Sequence, residues 1–282
     1  MKNNNLEKVK KIIALIEKNS KRPIENKKAF EKYLLESIIK NKKITFYNWE
    51  CPPRFLDIDK NGKYFVNYDV DLKKIFKSKK IDNFTEFPRV VEEPDEEIKT
   101  LLFLKSMGIK YRFVKVIADT NAFYITPESI KILGKIKIKK KYAEFKKLIQ
   151  QSLKKYPISV KVCFFTDLIK KDKAKYDEIY LNSKNILKKD TQKLLAKKII
   201  VDQIKRTRDH VGILGKKEAF DFAINTIATY AAEGIVFDKL SKTPKFSNCV
   251  WLNNHEVDDR TIQITNCYRR KLKFGNLPMV FL

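Results

Sequence analysis

Residues 111–118 read YRFVKVIA, a run of aromatic and β-branched residues with too few polar positions for a sheet face that meets water. Such a run belongs inside a sheet covered on both sides, where strands are parallel and joined by helical crossovers. The flanking sequence agrees. Upstream, PDEEIKTLLFLKSM predicts a helix opened by Pro94, with acids in its first turn and Gly108 as its stop. Downstream, Thr126-Pro127-Glu128 reads as a helix start with Thr as cap and Pro at the first helical position. A basic helix over about 141–155 leads through Pro157 into a second apolar run, ISVKVCFF, at 158–165. Farther upstream, KITFYNW at 43–49 is a strand that ends at Cys51-Pro52-Pro53-Arg54, since two prolines cannot continue a ladder. Strands alternating with helices predict an α/β fold: Rossmann-like, with a mostly parallel central sheet and helices on both faces.

The remaining segments fit around that centre. Val9, Ile12, Ile13 and Ile16 form one helical stripe, and Phe30, Tyr33, Leu34 and Ile38 another, giving an N-terminal helical segment over 1–42. Residues 43–282 form the α/β domain, unless 1–282 is one continuous domain. Asn61-Gly62 between two apolar runs suggests a type I′ hairpin turn. Two or three helices cover about 172–240, the last with Phe220, Ala223, Ile224, Ile227 and Ala228 on its apolar side, and short strands are expected near 248–253 and 261–267.

The chain has 282 residues, 43% of them hydrophobic, which is enough for a large core and excludes a mainly disordered protein. No apolar run approaches membrane-spanning length. The four cysteines (Cys51, Cys163, Cys249, Cys267) show no paired spacing, so a reduced, cytoplasmic protein with no membrane partner is the expectation. Sixty-one basic against 34 acidic residues give a net charge of +27, a field that concentrates anions. Only nine of the basic residues are Arg. The chain is also rich in Ile and Asn, which share A/T-rich codons with Lys, so base composition is a second source of the charge. Residues 131–155 hold ten Lys against the single acid Glu144 and read either as a solvated face or as a contact for a phosphate backbone.

No GxGxxG, P-loop or GxSxG motif is present, which leaves dinucleotide binding, NTP hydrolysis and serine-hydrolase chemistry without support. Asp57-Ile-Asp59-Lys-Asn61-Gly62 imitates a calcium loop, but Tyr68 stands where a bidentate Glu is required. No metal and no cofactor are implied. The residues left for chemistry stand at strand ends: Arg54, Asp119, Asp167, Asn253, Asn254 and His255. Parallel neighbouring strands would bring these to one crevice, where open α/β sheets bind ligands. Asp119 and His255 are the candidate proton donor and acceptor, with a turn cap as the alternative role for Asp119 and a hydrogen-bonded turn residue for His255. Arg206 and His210 share a helix face that can grip a phosphate or complement the helix dipole.

In the same order along the chain, TFYNWECPPR, PDEEIKTLLFL, VIADTNAFYI and VWLNNHE resemble the elements of the isocyanide synthase family, which includes the pyoverdine/dityrosine biosynthesis proteins. Arg54 stands where that family carries Lys. The resemblance implies an enzyme joining an amino acid's amine to the carbonyl of a phosphorylated ketose, without metal or nucleotide. Arg54, Arg206 or Arg260 would then grip the phosphate, Asp95 and Glu97 would hold the amine, and Asp167 and Asn253 would complete the substrate site. A basic nucleic-acid-binding protein is the alternative, as is a tRNA-dependent enzyme. The stretch TNAFYITPESI (120–130) and the Tyr230-to-Glu233 segment resemble the cyclodipeptide synthases, with Tyr230 three residues before Glu233.

Overall fold

Strand β1 (Ile44–Glu50) is buried along six of its seven residues, because the run ITFYNW offers apolar groups to both faces. It pairs in parallel along its whole length with β4 (Tyr111–Ile117), from Ile44 opposite Tyr111 to Glu50 opposite Ile117. The computed structural model describes residues 2–20, 22–50, 52, 55–62, 64–73, 96–190, 216–241, 243, 247–253 and 277–282. Within it β5 (Val160–Phe164), β6 (Cys249–Asn253) and β7 (Met279–Phe281) complete a five-stranded sheet of order β5-β4-β1-β6-β7. Every pairing is parallel. Counting only these strands, the order is 3-2-1-4-5, the Rossmann arrangement, with its reversal of direction between β1 and β6. Asn48 reinforces that join: its Nδ2 donates to the Leu252 carbonyl at 3.0 Å, beyond the last paired residue. The outer edge is covered by chain, as Glu25 and Met279 exchange two backbone hydrogen bonds.

Two apolar layers close over the sheet. Alternate strand residues Phe46 and Phe113 face one side. There they join Ile12 of α1 (Lys2–Asn19), Phe30 of α2 (Lys27–Lys40), Leu101 of α3 (Glu96–Ser106) and Phe145 of α5 (Lys135–Leu153) in a single cluster. Tyr47, Trp49, Val114 and Val116 face the other, packed under Tyr176 of α7 (Lys173–Asp190) and Ala228 of α8 (Lys216–Ser241). Helix α5 buries Ile138, Tyr142, Phe145, Ile149 and Leu153, a spacing of three and four that turns its lysines outward. Among the described residues no helix is long and apolar enough to cross a membrane.

Two turns differ from their sequence reading. The hairpin of β2 (Phe55–Ile58) and β3 (Tyr64–Asn67) does not use a type I′ turn at Asn61-Gly62, which needs positive φ at both residues. Only Gly62 has it (φ 75°). Asp59 shapes the turn instead: its side chain accepts from the Asn61 amide and its carbonyl from the Gly62 amide, both at 2.9 Å. Thr126 precedes α4 (Pro127–Leu133) as expected, but its side chain does not cap the helix. Its hydroxyl is held 2.9 Å from the Tyr68 hydroxyl, in the interior. Tyr68→Phe therefore strips a buried hydroxyl of a partner and should cost about 1–3 kcal/mol in urea denaturation; an unchanged midpoint would refute that role. The expected strand at 261–267 and the helix start at Pro94 lie outside the described residues.

Candidate active site

The chain leaves β4 through a tight turn, the Asp119 amide donating to the Ile117 carbonyl at 2.9 Å, and enters one turn of π-helix at Asn121–Ile125. Single π turns of this kind recur at functional sites. Here the turn sends two consecutive polar side chains to different partners at the carboxyl edge of the sheet. Asp119 turns toward the β5 side. It accepts from the Thr166 amide at 3.1 Å and from the Thr166 hydroxyl, anchoring the short α6 (Phe165–Leu168) that follows β5. Burial raises its carboxyl above the usual range, the Thr166 bonds oppose the rise, and neighbouring Asp167 adds to it.

Thr120 turns toward α8. Its hydroxyl donates to Glu233 Oε1, while Trp49 Nε1, from β1, donates to Oε2 at 3.3 Å. Small residues on the helix face, Ala228, Ala231 and Ala232, are buried where α8 packs against the π turn and α7, and Glu233 beside them is only 4% exposed. Burial pushes this carboxyl up to about 7; the bonds from Thr120 and Trp49 hold it back and the Asp119 charge adds to the rise. An acid that changes protonation near neutrality, with one hydroxyl already bonded to it, suits proton transfer.

Aromatic rings enclose this pair. Trp49 packs against Phe165 (5.7 Å between centroids), Phe237 (4.9 Å) and Trp251 (5.2 Å). On the α7 side, Tyr124 donates to Asp177 and accepts from Lys173 at 3.1 Å. The Tyr180 hydroxyl bridges the Tyr124 carbonyl and Asn225 Oδ1, each at 3.1 Å. The π turn is thus tied to both α7 and α8.

Of the residues singled out in the sequence, Asp119 stands in this network. Asp167 is at the same edge but turned to solvent, with 60% of its side chain exposed and Lys146 at 4.0 Å. Asn253 ends β6, opposite Phe281 of β7. Glu97 is fully buried on the opposite face, where Lys115 Nζ approaches it at 2.5 Å and Glu50 at 2.9 Å. Arg54, Asp95, Arg206, His210, Asn254, His255 and Arg260 lie outside the described residues. Thr120, Trp49 and Glu233 were not proposed as site residues from sequence; the available signal was an acid inside the apolar helical run ATYAAEGIVF. No group of three metal-ligating side chains occurs among the described residues.

Helix α5 presents the basic face. Lys137 and Lys141 are engaged by Asp69 at 2.5 and 3.4 Å. Lys139, Lys140 and Lys147 are exposed and make no ion pair among the described residues.

No family model matches this chain, and no curated protein matches it. Solved structures of similar fold include a CDPS from Fluoribacter dumoffii, at TM-score 0.46 and 12% identity, covering 84% of this chain and 89% of that one. Tyrosyl-tRNA synthetase from Aeropyrum pernix aligns at TM-score 0.42 and 12% identity over 97% of this chain. A tryptophanyl-tRNA synthetase homolog from Entamoeba histolytica aligns at TM-score 0.43 and 11% identity over 99% of it. This chain spans 61% and 62% of the lengths of those two synthetases.

Proposed function

We propose that this protein is a tRNA-dependent enzyme of the cyclodipeptide synthase type, in which the acyl group of an aminoacyl ester passes to the amine of a second aminoacyl group. The observation that carries the reading is the Thr120–Glu233 hydrogen bond. It joins at one point the two stretches, 113 residues apart, on which the resemblance to that family rests. The step needs a proton acceptor for the attacking amine and a proton for the departing ribose hydroxyl, as the N–C bond forms and the C–O ester bond breaks. Glu233, titrating at about 7, can take the first proton and deliver it to the second. The exposed lysines of α5 supply the sequence-independent attraction that a tRNA backbone calls for.

The test uses tRNA charged with labelled amino acids. Transfer of label from acid-precipitable tRNA into small neutral product supports the reading; label retained on tRNA with every amino acid offered overturns it. Consumption of an amino acid with a phosphorylated ketose, without tRNA, would instead favour the isocyanide synthase-like reading through Asp119. Binding of uncharged tRNA is expected to weaken linearly in log–log form as salt rises. Replacing Lys139 and Lys140 by Ala should flatten that slope by about two if each meets one phosphate, and an unchanged slope removes α5 from the interface.

A further inference from the structure

Tyr176 is fully buried, and its hydroxyl has no hydrogen-bond partner among the described residues. A buried polar group left unpaired destabilises the fold, so its position calls for a reason. Helices α7 and α8 run antiparallel, with Tyr180 meeting Asn225 and Lys175 near Lys239. Tyr176, one turn before Tyr180, therefore falls alongside the stretch of α8 that leads to Glu233. Its ring lies between Tyr124 (centroids 5.0 Å apart) and Phe165 (5.8 Å). Tyr124 belongs to the π turn that springs from Thr120, and Phe165 packs on Trp49. Tyr176 is thus packed against a neighbour of Thr120 on one side and a neighbour of Trp49 on the other.

Thr120 has one proton, given to Glu233, and lone pairs to spare; Tyr176 is the adjacent group with a proton to give. We infer that Tyr176 is a positioning residue for this pair: with Glu233 ionised, its hydroxyl donates to Thr120, and the polarised Thr120 hydroxyl binds the carboxylate more firmly. Burial raises the Tyr176 phenol well above its ordinary range; the Glu233 and Tyr124 charges add to the rise and Thr120 opposes it, so Glu233 and Thr120 are both near enough to act on it. Among the described residues, the titratable groups that interact with Glu233 are Asp119 from the end of β4 and Tyr176 from α7. Tyr124, Asp177 and Lys173 form the next layer outward.

The kinetic consequence rests on Glu233 being the proton acceptor proposed above, but the titration does not, so the two can fail separately. The Glu233 carboxyl stretch would be followed by infrared difference spectroscopy across pH, with E233Q identifying the band. One hydrogen bond is worth about 1 kcal/mol and one pH unit is 1.36 kcal/mol. Tyr176→Phe should therefore raise the midpoint by about half to one unit. In a Thr120→Val background the same change should add nothing, because the connecting hydroxyl is gone. An unmoved midpoint overturns the inference, including when Tyr176→Phe alters only the melting temperature. An equal shift in the Thr120→Val background also overturns it.

Discussion

Glu233→Gln is expected to flatten the pH dependence of stability and to slow the proposed acyl transfer. In the unfolded chain this carboxyl titrates near 4.5, and in the folded protein at about 7. Between those values the folded state holds the proton more tightly, so stability is greatest below about pH 4.5 and declines as pH rises toward 7. At 1.36 kcal/mol per unit, the decline attributable to Glu233 is about 3 kcal/mol. Glutamine keeps the shape and the acceptor for Thr120 but carries no charge, so the variant should lack that slope and gain on the parent protein as pH rises. Asp119 is raised in the same direction, but it is common to both proteins and cancels in the comparison. Urea denaturation at pH 5 and pH 8 measures the difference directly; parallel stability curves would mean that Glu233 is not held neutral by its surroundings. Under the proposed function, turnover of aminoacyl-tRNA should fall by about 10²–10⁴-fold, the usual contribution of a positioned general base. A Glu233→Gln enzyme of full activity would confine Glu233 to a structural part.

Lys115→Met should cause the largest loss of stability of any single change considered. Lys115 points from the middle of β4 into the face opposite the proposed site, 1% exposed, and its ammonium bridges Glu97 and Glu50. Removing the lysine takes away the ammonium that faces the fully buried Glu97 carboxylate, and breaking a buried pair in this way costs about 3–5 kcal/mol. Removing Glu97 as well, as Lys115→Met/Glu97→Leu, should restore most of that loss, because Glu50 ends its strand and retains access to water. A Lys115→Met protein within 1 kcal/mol of the parent, or a double variant no better than the single, would show that the triad is not what holds these charges in place.

Much of the architecture was legible from local pattern. YRFVKVIA and ITFYNW are buried on both faces over most of their length, which a single sequence reports through the near absence of polar positions, while VKVCF lies at the sheet edge with only Val162 and Cys163 buried. Gly108 stops α3 with the positive φ (72°) expected of it. The spacing of Ile138, Tyr142, Phe145 and Ile149 likewise announced which side of α5 is buried. Features set by distant partners were not legible. Thr126 has the residue type of a cap, yet its hydroxyl serves Tyr68, 58 positions earlier. Lys115 reads as an interruption of an apolar strand until Glu97 and Glu50 are seen beside it. Asp119 was expected at a strand end and is there, but its attachment to Thr166 crosses 47 residues. The Tyr230-to-Glu233 segment stands out only by a family resemblance, since no local pattern says that Trp49 and Thr120 converge on Glu233.

The central strand also constrains how the protein is made. β1 is among the first strands to emerge during synthesis, yet one of its two sheet neighbours, β6, lies about two hundred residues downstream, as the Asn48–Leu252 bond records. Until that segment leaves the ribosome, the nascent chain carries an apolar strand with one side open, the kind of edge that invites misassociation. Its maturation should be slow, and recovery after dilution from denaturant should improve when a chaperone shields that edge.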